Sequence, residues 1–374
     1  MKKKLLDISV TTIFCAVIFI PICLTFLGVN FNDNKNQKDV IINNGENSIK
    51  QKYKNLIKAK DEFNDSFEKN FIFKDLSIKA KNNLVLSIFG TSSIPKKVVI
   101  GNNGWYFLGE NYSDAIRESK GISNFEKSTL DSLNNQLIEN NKYLKNKNIN
   151  YYTVIAPNKS SIYGNFLNIK AGTKKKKIDQ IIQKSKGNYK VIDLTPALEN
   201  KASSEKLYYK TDSHWNYIGA YYGYLDLIKV ISKDFPEIKP VSITDYIKQD
   251  TVMVQMDLTK MLKYSTKEHD FILRKTEYLS REKNSNYEAP QNYQRQKKLY
   301  SKKYISKKNK IKVVMFRDSF SKNMENYLRE TFGELTLIWH PLFNKNIIES
   351  EQPDIVIHQV VERDIDRLLH PKNK

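Results

Sequence analysis

The residues best suited to chemistry lie in two short stretches far apart in the chain. The stretch Thr211-Asp212-Ser213-His214-Trp215-Asn216 sets an acid and a histidine two residues apart. In an extended segment, residues i and i+2 project to the same side, so the Asp212 carboxylate is expected to orient and polarise the His214 imidazole. A histidine held this way is a general base for a nucleophile placed opposite it. The best nucleophile is Ser319, in Phe316-Arg317-Asp318-Ser319-Phe320, directly after the apolar run Val313-Val314-Met315-Phe316. A serine hydroxyl is weakly nucleophilic at neutral pH until an adjacent base takes its proton. The two stretches together read as a Ser-His-Asp site for acyl transfer. Backbone N–H groups at Ser319 and in the turn after it are candidate oxyanion donors. Asn158, Lys159, Arg317 and Trp215 are further candidates for substrate or oxyanion contact. The other histidines, His269, His340, His358 and His370, are not at ligand spacing, so neither a metal nor another cofactor is expected.

The elements that must position these residues follow from hydrophobic periodicity. Val98 to Ile100 and Trp105 to Leu108 flank Asn103-Gly104 and read as a hairpin, because Asn-Gly suits a tight type I′ turn. Residues 124–145 carry helical spacing, and Tyr151 to Ile155 then reads as a strand ending at Ala156-Pro157-Asn158-Lys159. A second helix-then-strand unit follows, Ile178 to Lys184 and Tyr189 to Leu194. Helix, strand, helix, strand implies a parallel α/β sheet flanked by helices, in which sites form at the carboxyl ends of strands. Asn216 is placed to cap a helix from Tyr217 to Ile231, whose Gly219-Ala220 face permits close packing. The chain closes with a strand at Val313, a helix near Asn323 to Phe332, and strands at Leu335 to Trp339 and Ile355 to Val361. Pro236 to Lys310 is the least readable part, and Met253, Met256, Leu258, Met261 and Leu262 read as packing. The lysine-dense run from Lys297 to Lys312 reads first as a solvated loop, and second as a surface for anionic polymer or lipid. Lys174 to Lys177 is treated the same way.

A chain of 374 residues with a 40% hydrophobic fraction, 22 Tyr and 18 Phe can bury a sizeable core. Its 62 basic against 41 acidic residues give a formal +21. That excess suits nucleic acid, an anionic membrane face or an anionic polymer. The chain carries no zinc-finger, helix-turn-helix or aromatic RNA-binding signature, which argues against nucleic acid. The N-terminus decides the compartment. Met1-Lys2-Lys3-Lys4 precedes a mostly apolar run from Ile8 to Val29, close to the ~20 residues that span a bilayer. The small-x-small cleavage pattern is poor around Gly28, which favours an anchor over a cleaved signal, and the lysines are expected to stay cytoplasmic. The expected organisation is a signal anchor at 1–31, a polar Asn-rich linker at 32–50, and an extracytoplasmic domain at 51–374. The protein would then be a single-pass protein of the cell membrane. Both cysteines, Cys15 and Cys23, lie in the anchor, so the domain is expected to hold no disulfide.

From about Phe63 to Leu369 the chain resembles the AlgJ/AlgX-like polysaccharide O-acetyltransferases and their DHHW-type relatives. The matching pieces are Asp65-Ser66-Phe67, Ile100-Gly101-Asn102-Asn103-Gly104-Trp105-Tyr106-Phe107, and Ala156-Pro157-Asn158-Lys159 with Ile162-Tyr163. They continue, in the same order, with Thr211 to Asn216, Arg317-Asp318-Ser319-Phe320 and Val360-Val361-Glu362-Arg363. The resemblance implies a permuted SGNH-hydrolase-like fold in which the acid–histidine pair precedes the serine. It also implies Ser319 as nucleophile, His214 as base and Asp212 as the orienting acid. Arg317 stands where ordinary SGNH enzymes have glycine, so their glycine-based oxyanion donor does not transfer.

The function expected is a membrane-anchored, serine-dependent O-acetyltransferase acting outside the cytoplasm on a cell-surface or secreted polysaccharide. The resemblance implies a membrane-bound O-acyltransferase partner that passes acetyl across the bilayer, and the basic surface suits an anionic polysaccharide acceptor. The rival within the same chemistry is an SGNH-type esterase or a transferase of another acyl group such as D-alanine. The rival outside it is an anchored, non-catalytic wall-polymer binding protein.

Overall fold

The computed structural model describes residues 74–285, 287–291, 297–339 and 342–369. The expected anchor and linker, and Asp65-Ser66-Phe67, lie outside them. Among the described residues no helix is long and apolar enough to cross a membrane. The chain divides into two compact units, residues 1–87 and 88–374. Of the first, the structure describes only part of a helix, Lys74–Phe89. The rest of the description concerns the second.

Its centre is a seven-stranded sheet, built from β3 (Asn150–Ala156), β4 (Lys190–Asp193), β7 (Arg281–Lys283), β8 (Ser301–Ile305), β9 (Lys312–Phe316), β10 (Glu334–Ile338) and β11 (Ile355–Val361). The order across it is β4-β3-β11-β9-β10-β8-β7. The first five strands are mutually parallel, whereas β8 at one edge runs against them and β7 pairs antiparallel with β8. The sheet is therefore mixed rather than wholly parallel. The parallel strands are continuous apolar runs because helices cover both of their faces. Val313, Met315, Ile355 and Ile357 face a core shared with the helix Tyr217–Asp234. Their neighbours Val314, Phe316, Val356 and Val360 face the helices Lys127–Lys145 and Lys177–Ser185. Such a period of two is what a strand buried on both faces requires.

Two smaller ribbons complete the unit. β1 (Val98–Ile100) and β2 (Tyr106–Leu108) form the expected hairpin. Asn103 (φ 55°, ψ 30°) and Gly104 (φ 74°) occupy the left-handed pair that a type I′ turn needs, and Trp105 N–H closes it on Asn102 O at 3.2 Å. β5 (Ile247–Val254) pairs antiparallel with β6 (Lys267–Arg274) in the stretch where periodicity was uninformative. Between them the helix Asp257–Met261 places Leu258, with Leu262 just after it, in a core with Val98, Tyr106 and Leu108. The packing expected of those leucines is what is found.

Two expectations need correction. The lysine-dense run is a loop only in part: Lys307, Lys308 and Lys310 lie in an exposed loop as expected, but Ser301–Ile305 form strand β8. Lys302 pairs with Glu325 (2.7 Å), and Lys303 with Glu351 (2.7 Å) and Glu334 (3.2 Å). Acids from other elements neutralise these two lysines and let the strand join a sheet. The helix expected near Asn323 to Phe332 is reduced to a 3-10 turn, Ser319–Lys322, and a four-residue helix, Glu325–Leu328. Its helical spacing is real, since Phe320, Met324, Tyr327, Leu328 and Phe332 all enter one core. Glu325 and Glu330 are buried as well and bind partners on other strands and loops, which breaks the regular turn.

Candidate active site

Three parallel strands end side by side at their carboxyl termini: β3 at Ala156, β9 at Phe316 and β11 at Val361. Backbone polar groups leave the sheet there, and sites form at such edges. Ser319 follows β9 at the start of the 3-10 turn, where Asp318 fixes it. Asp318 Oδ1 accepts the Phe320 N–H (2.8 Å) and Gln359 Nε2–H (3.0 Å), and its Oδ2 accepts the Val361 N–H (2.6 Å). The Ser319 turn is thus tied to β11. Burial pushes the Asp318 carboxyl up against the pull of these hydrogen bonds. The Phe320 N–H, one of the candidate oxyanion donors in the turn, is committed to Asp318.

His214 Nε2 lies 2.7 Å from Ser319 Oγ, and its Nδ1 lies 2.6 Å from Asp212 Oδ1. An acid on Nδ1 keeps the proton there and leaves Nε2 free to accept the serine hydroxyl. Asp212 Oδ1 also accepts the His214 N–H (3.0 Å), and Oδ2 accepts the Asp257 N–H (3.1 Å). The acid–histidine contact does not arise from extended backbone, because residues 210–214 are bent. A carboxylate accepting the amide two residues on is an Asx turn, and that turn brings the two side chains together. Burial would raise the Asp212 carboxyl, but His214 and the two amides hold it at about 2.

Distant residues fix the bent loop. The Lys159 ammonium, 4% exposed, donates to the carbonyls of Tyr209 (3.0 Å), Lys210 (3.0 Å) and Asp212 (2.6 Å). All three of its protons hold loop backbone, so its role is support for the acid rather than substrate contact. Burial brings Lys159 down to about 8, although Asp257, Asp212 and Glu268 pull the other way. Glu268 on β6 accepts the N–H groups of Lys210 (2.7 Å) and Thr211 (2.9 Å) and the Thr211 hydroxyl (2.6 Å). Trp215 is fully buried and donates Nε1–H to Phe320 O (2.8 Å), which joins the histidine loop to the serine turn. Gly219 makes room for it: a Cβ there would stand 2.2 Å from Leu207 O and 3.0 Å from Trp215 Cβ. Asn216 caps the following helix through the Gly219 N–H (3.0 Å), as its position in the sequence suggests.

The remaining candidates are placed differently. Asn158 is 2% exposed; its N–H goes to Glu362 Oε2 (2.9 Å), its amide donates to Glu118 Oε2 (3.1 Å), and Arg363 donates to its Oδ1 (3.1 Å). Glu118 and Glu362 are both buried, and two neighbouring buried carboxyls cannot both ionise. Burial and the Glu362 charge push Glu118 well up, so that a proton stays in the pair. Arg317 is buried, with its guanidinium over Trp339 (4.3 Å to the centroid), near Leu299 O (3.5 Å) and Glu325 Oε2 (3.9 Å). It takes no part in the Ser319–His214–Asp212 chain. Phe320 lies against the imidazole, 5.0 Å between ring centroids, and the Arg363 guanidinium lies over the Phe320 ring, 5.3 Å from its centroid.

Sequence reasoning missed Asp257 and Glu268, which sit in the unreadable stretch and carry no local signal. It quoted Glu362 and Arg363 without a role, although they follow an apolar strand just as Ser319 does. Asp212, His214 and Asp257 have ligand atoms within 4.8 Å of one another, close enough for a cation. Each is already hydrogen-bonded to protein groups, so we read them as an acid–base cluster and not as metal ligands.

The family of SGNH hydrolase-like domains described as acetyltransferase AlgX matches residues 98–341, which include Asp212, His214 and Ser319. No curated protein sequence matches the chain. Among solved structures, Bacillus cereus PatB1 carrying a sulfonyl adduct is similar at 13% identity and a TM-score of 0.54, covering 73% of this chain and 97% of that one. PatB1 without the adduct gives 14%, 0.53, 73% and 99%. The O-acetyltransferase domain of Pseudomonas putida AlgJ gives 14%, 0.45, 72% and 92%. At such identities the likeness shows the fold, an SGNH-hydrolase-like central sheet with flanking helices. The family match spans well over half of the chain, and the protein belongs to the AlgX-type SGNH hydrolase-like acetyltransferases.

Proposed function

We propose that the protein is a serine-dependent O-acetyltransferase that moves acetyl through a Ser319 acyl-enzyme onto hydroxyls of a cell-surface or secreted polysaccharide. The observation that carries this reading is the unbroken chain Ser319 Oγ–His214 Nε2 (2.7 Å) and His214 Nδ1–Asp212 Oδ1 (2.6 Å) at the carboxyl edge of a parallel sheet. Ser319 Oγ attacks the acetyl carbonyl of the donor as its proton passes to Nε2. Asp212 holds the imidazolium that forms, and the Ser319 N–H faces the developing oxyanion. The donor's leaving group takes that proton from His214 and departs. A sugar hydroxyl then gives a proton to Nε2 and attacks the acyl-enzyme, which restores Ser319.

A chain beginning with a signal anchor would keep the domain beside a membrane-bound O-acyltransferase that supplies acetyl, and a formal +21 suits an anionic glycan. An open cleft of about 500 Å³, lined by Lys206, Asn216, Tyr246, Lys248 and Phe271 but not by Asp212, His214 or Ser319, is a candidate surface for more distant rings of the acceptor. A wall of this kind suits sugar rings. The His214 side chain is 26% exposed, so water has access too, and that favours the esterase as the second reading.

The test is labelling of the full chain with a sulfonyl fluoride, which leaves a sulfonyl adduct like the one described for the PatB1 structure. Uptake at Ser319, lost in Ser319→Ala and reduced about 10³-fold or more in His214→Ala, is the expected result; equal labelling of Ser319→Ala would sink the assignment. Release of acetyl from an acetyl ester, with and without an oligosaccharide, then separates transfer from hydrolysis.

A further inference from the structure

Asp257 has no part in the steps above, yet its carboxylate stands 3.7 Å from His214 Nδ1, the nitrogen that Asp212 already holds. It begins the helix Asp257–Met261 and reaches the loop from outside. Its Oδ1 accepts the Ser213 N–H (2.8 Å), and its Oδ2 accepts the Ser213 hydroxyl. Ser213 Oγ is itself 3.4 Å from His214 Nδ1. The Asp257 N–H, in turn, reaches Asp212 Oδ2 at 3.1 Å. The residue between acid and base is therefore clamped by a second acid, and the imidazole faces two carboxylates.

We propose that Asp257 is a second positioning acid of this site: through Ser213 it sets the bend that aims Nδ1 at Asp212, and its charge stabilises the imidazolium formed as Ser319 loses its proton. The inference rests on the Ser319 acyl-transfer reading. Asp212, at 2.6 Å, keeps the Nδ1 proton; Asp257, a little farther out, adds charge without competing for it. A unit charge about 4 Å away in a half-buried site is strong enough to alter proton affinity. The other groups around the imidazole are Ser319 and Phe320 from the serine turn and Arg363 over Phe320. Behind Asp212 stands the Lys159 ammonium on its carbonyl, with Glu268 and Lys206 beyond.

The experiment follows sulfonyl fluoride labelling of the full chain across pH. In this reaction Ser319 Oγ forms the new bond to sulfur, fluoride leaves, and the hydroxyl proton passes to His214. Asp257→Asn keeps the size and an acceptor for the Ser213 N–H but removes the charge. Without that charge the imidazolium is less favoured, so the base form persists to lower pH. We expect the acid limb of the labelling profile to move down by about half a pH unit or more, and the plateau rate to fall roughly three- to ten-fold. A merely structural residue would lower the plateau and leave the limb in place. Asp257→Ser, which keeps the N–H that reaches Asp212, should move the limb the same way and serves if the asparagine variant does not fold. Ser213→Ala retains the charge and should lower only the plateau. An unmoved limb in the Asp257 variants, with normal wild-type labelling, overturns the inference and leaves the Ser319 reading standing. Wild-type protein that shows no Ser319-dependent labelling overturns both.

Discussion

The serine turn and the histidine loop meet at one hydrogen bond but are held by opposite means. The serine turn hangs on the sheet: Asp318 takes the amides of Phe320 and Val361 and the amide side chain of Gln359, all within the turn or on the adjacent strand. The histidine loop has no ladder beneath it beyond a single bridge between Tyr208 and Trp215. Charges from three other elements fix it: buried Lys159 after β3, buried Glu268 on β6 and half-buried Asp257 on its short helix. One half of the site inherits its precision from a regular element. The other depends on buried ionic groups, whose removal leaves unpaired partners in the interior.

The sharpest way to break this contrast is to remove one support from each side. Lys159→Met takes the ammonium from the carbonyls of Tyr209 and Asp212, while Lys210 O keeps the Tyr106 N–H (2.9 Å). It should cost about 2–4 kcal/mol in denaturant unfolding and lower Ser319 labelling on the order of a hundred-fold, because the acid loses its placement. Asp318→Ala should cost less, about 1–3 kcal/mol, with labelling down roughly tenfold, since the sheet still presents the turn. Equal losses in the two variants would show that both halves are held alike.

A gentler test titrates the histidine loop without mutation. Lys159, at about 8 in the folded protein, ordinarily keeps its proton to 10.5. Between those values the unfolded chain binds more protons, so this group makes stability rise with pH. A neutral amine, however, has two N–H groups for three carbonyls, and labelling should fall as pH rises through about 8. Activity and stability are then expected to part in direction on the alkaline side. Asp212 acts at the other end: its contribution is complete above its ordinary 3.8 and is lost as pH falls through about 2. The smallest effect is expected at the open cleft. Phe271→Ala removes the ring on which the Lys248 ammonium rests at 4.1 Å. Acceptor-dependent transfer should drop a few-fold, about 1 kcal/mol, with Ser319 labelling unchanged.

How much of this was legible follows the same division. Ser319 was findable because a strand with both faces covered writes itself as an uninterrupted apolar run, and Asp-Ser follows it at once. Asp212 and His214 were findable because two residues suffice for an Asx turn, although extended backbone was the expected cause. Lys159 was found with the wrong role, since a lysine at a strand end gives no sign of whether its ammonium meets substrate or backbone. Asp257 and Glu268 were not visible, because an isolated acid in a stretch without periodicity reads as solvated until its distant partner is known. Strand β8 was hidden for a related reason: Lys302 and Lys303 enter a sheet only because Glu325, Glu334 and Glu351 wait there. Local patterns register in the sequence, and charge compensation across the fold does not.

The bond from Trp215 Nε1–H to Phe320 O has a practical consequence. A wholly buried indole donates to the carbonyl one residue beyond the nucleophile, and indole emission responds to the strength and direction of that bond. On the proposed acyl-enzyme route, an acyl group on Ser319 would sit beside the turn bearing Phe320 O. Trp215 emission, read in a variant that replaces Trp105 and Trp339, would then be expected to change as the acyl-enzyme forms and discharges.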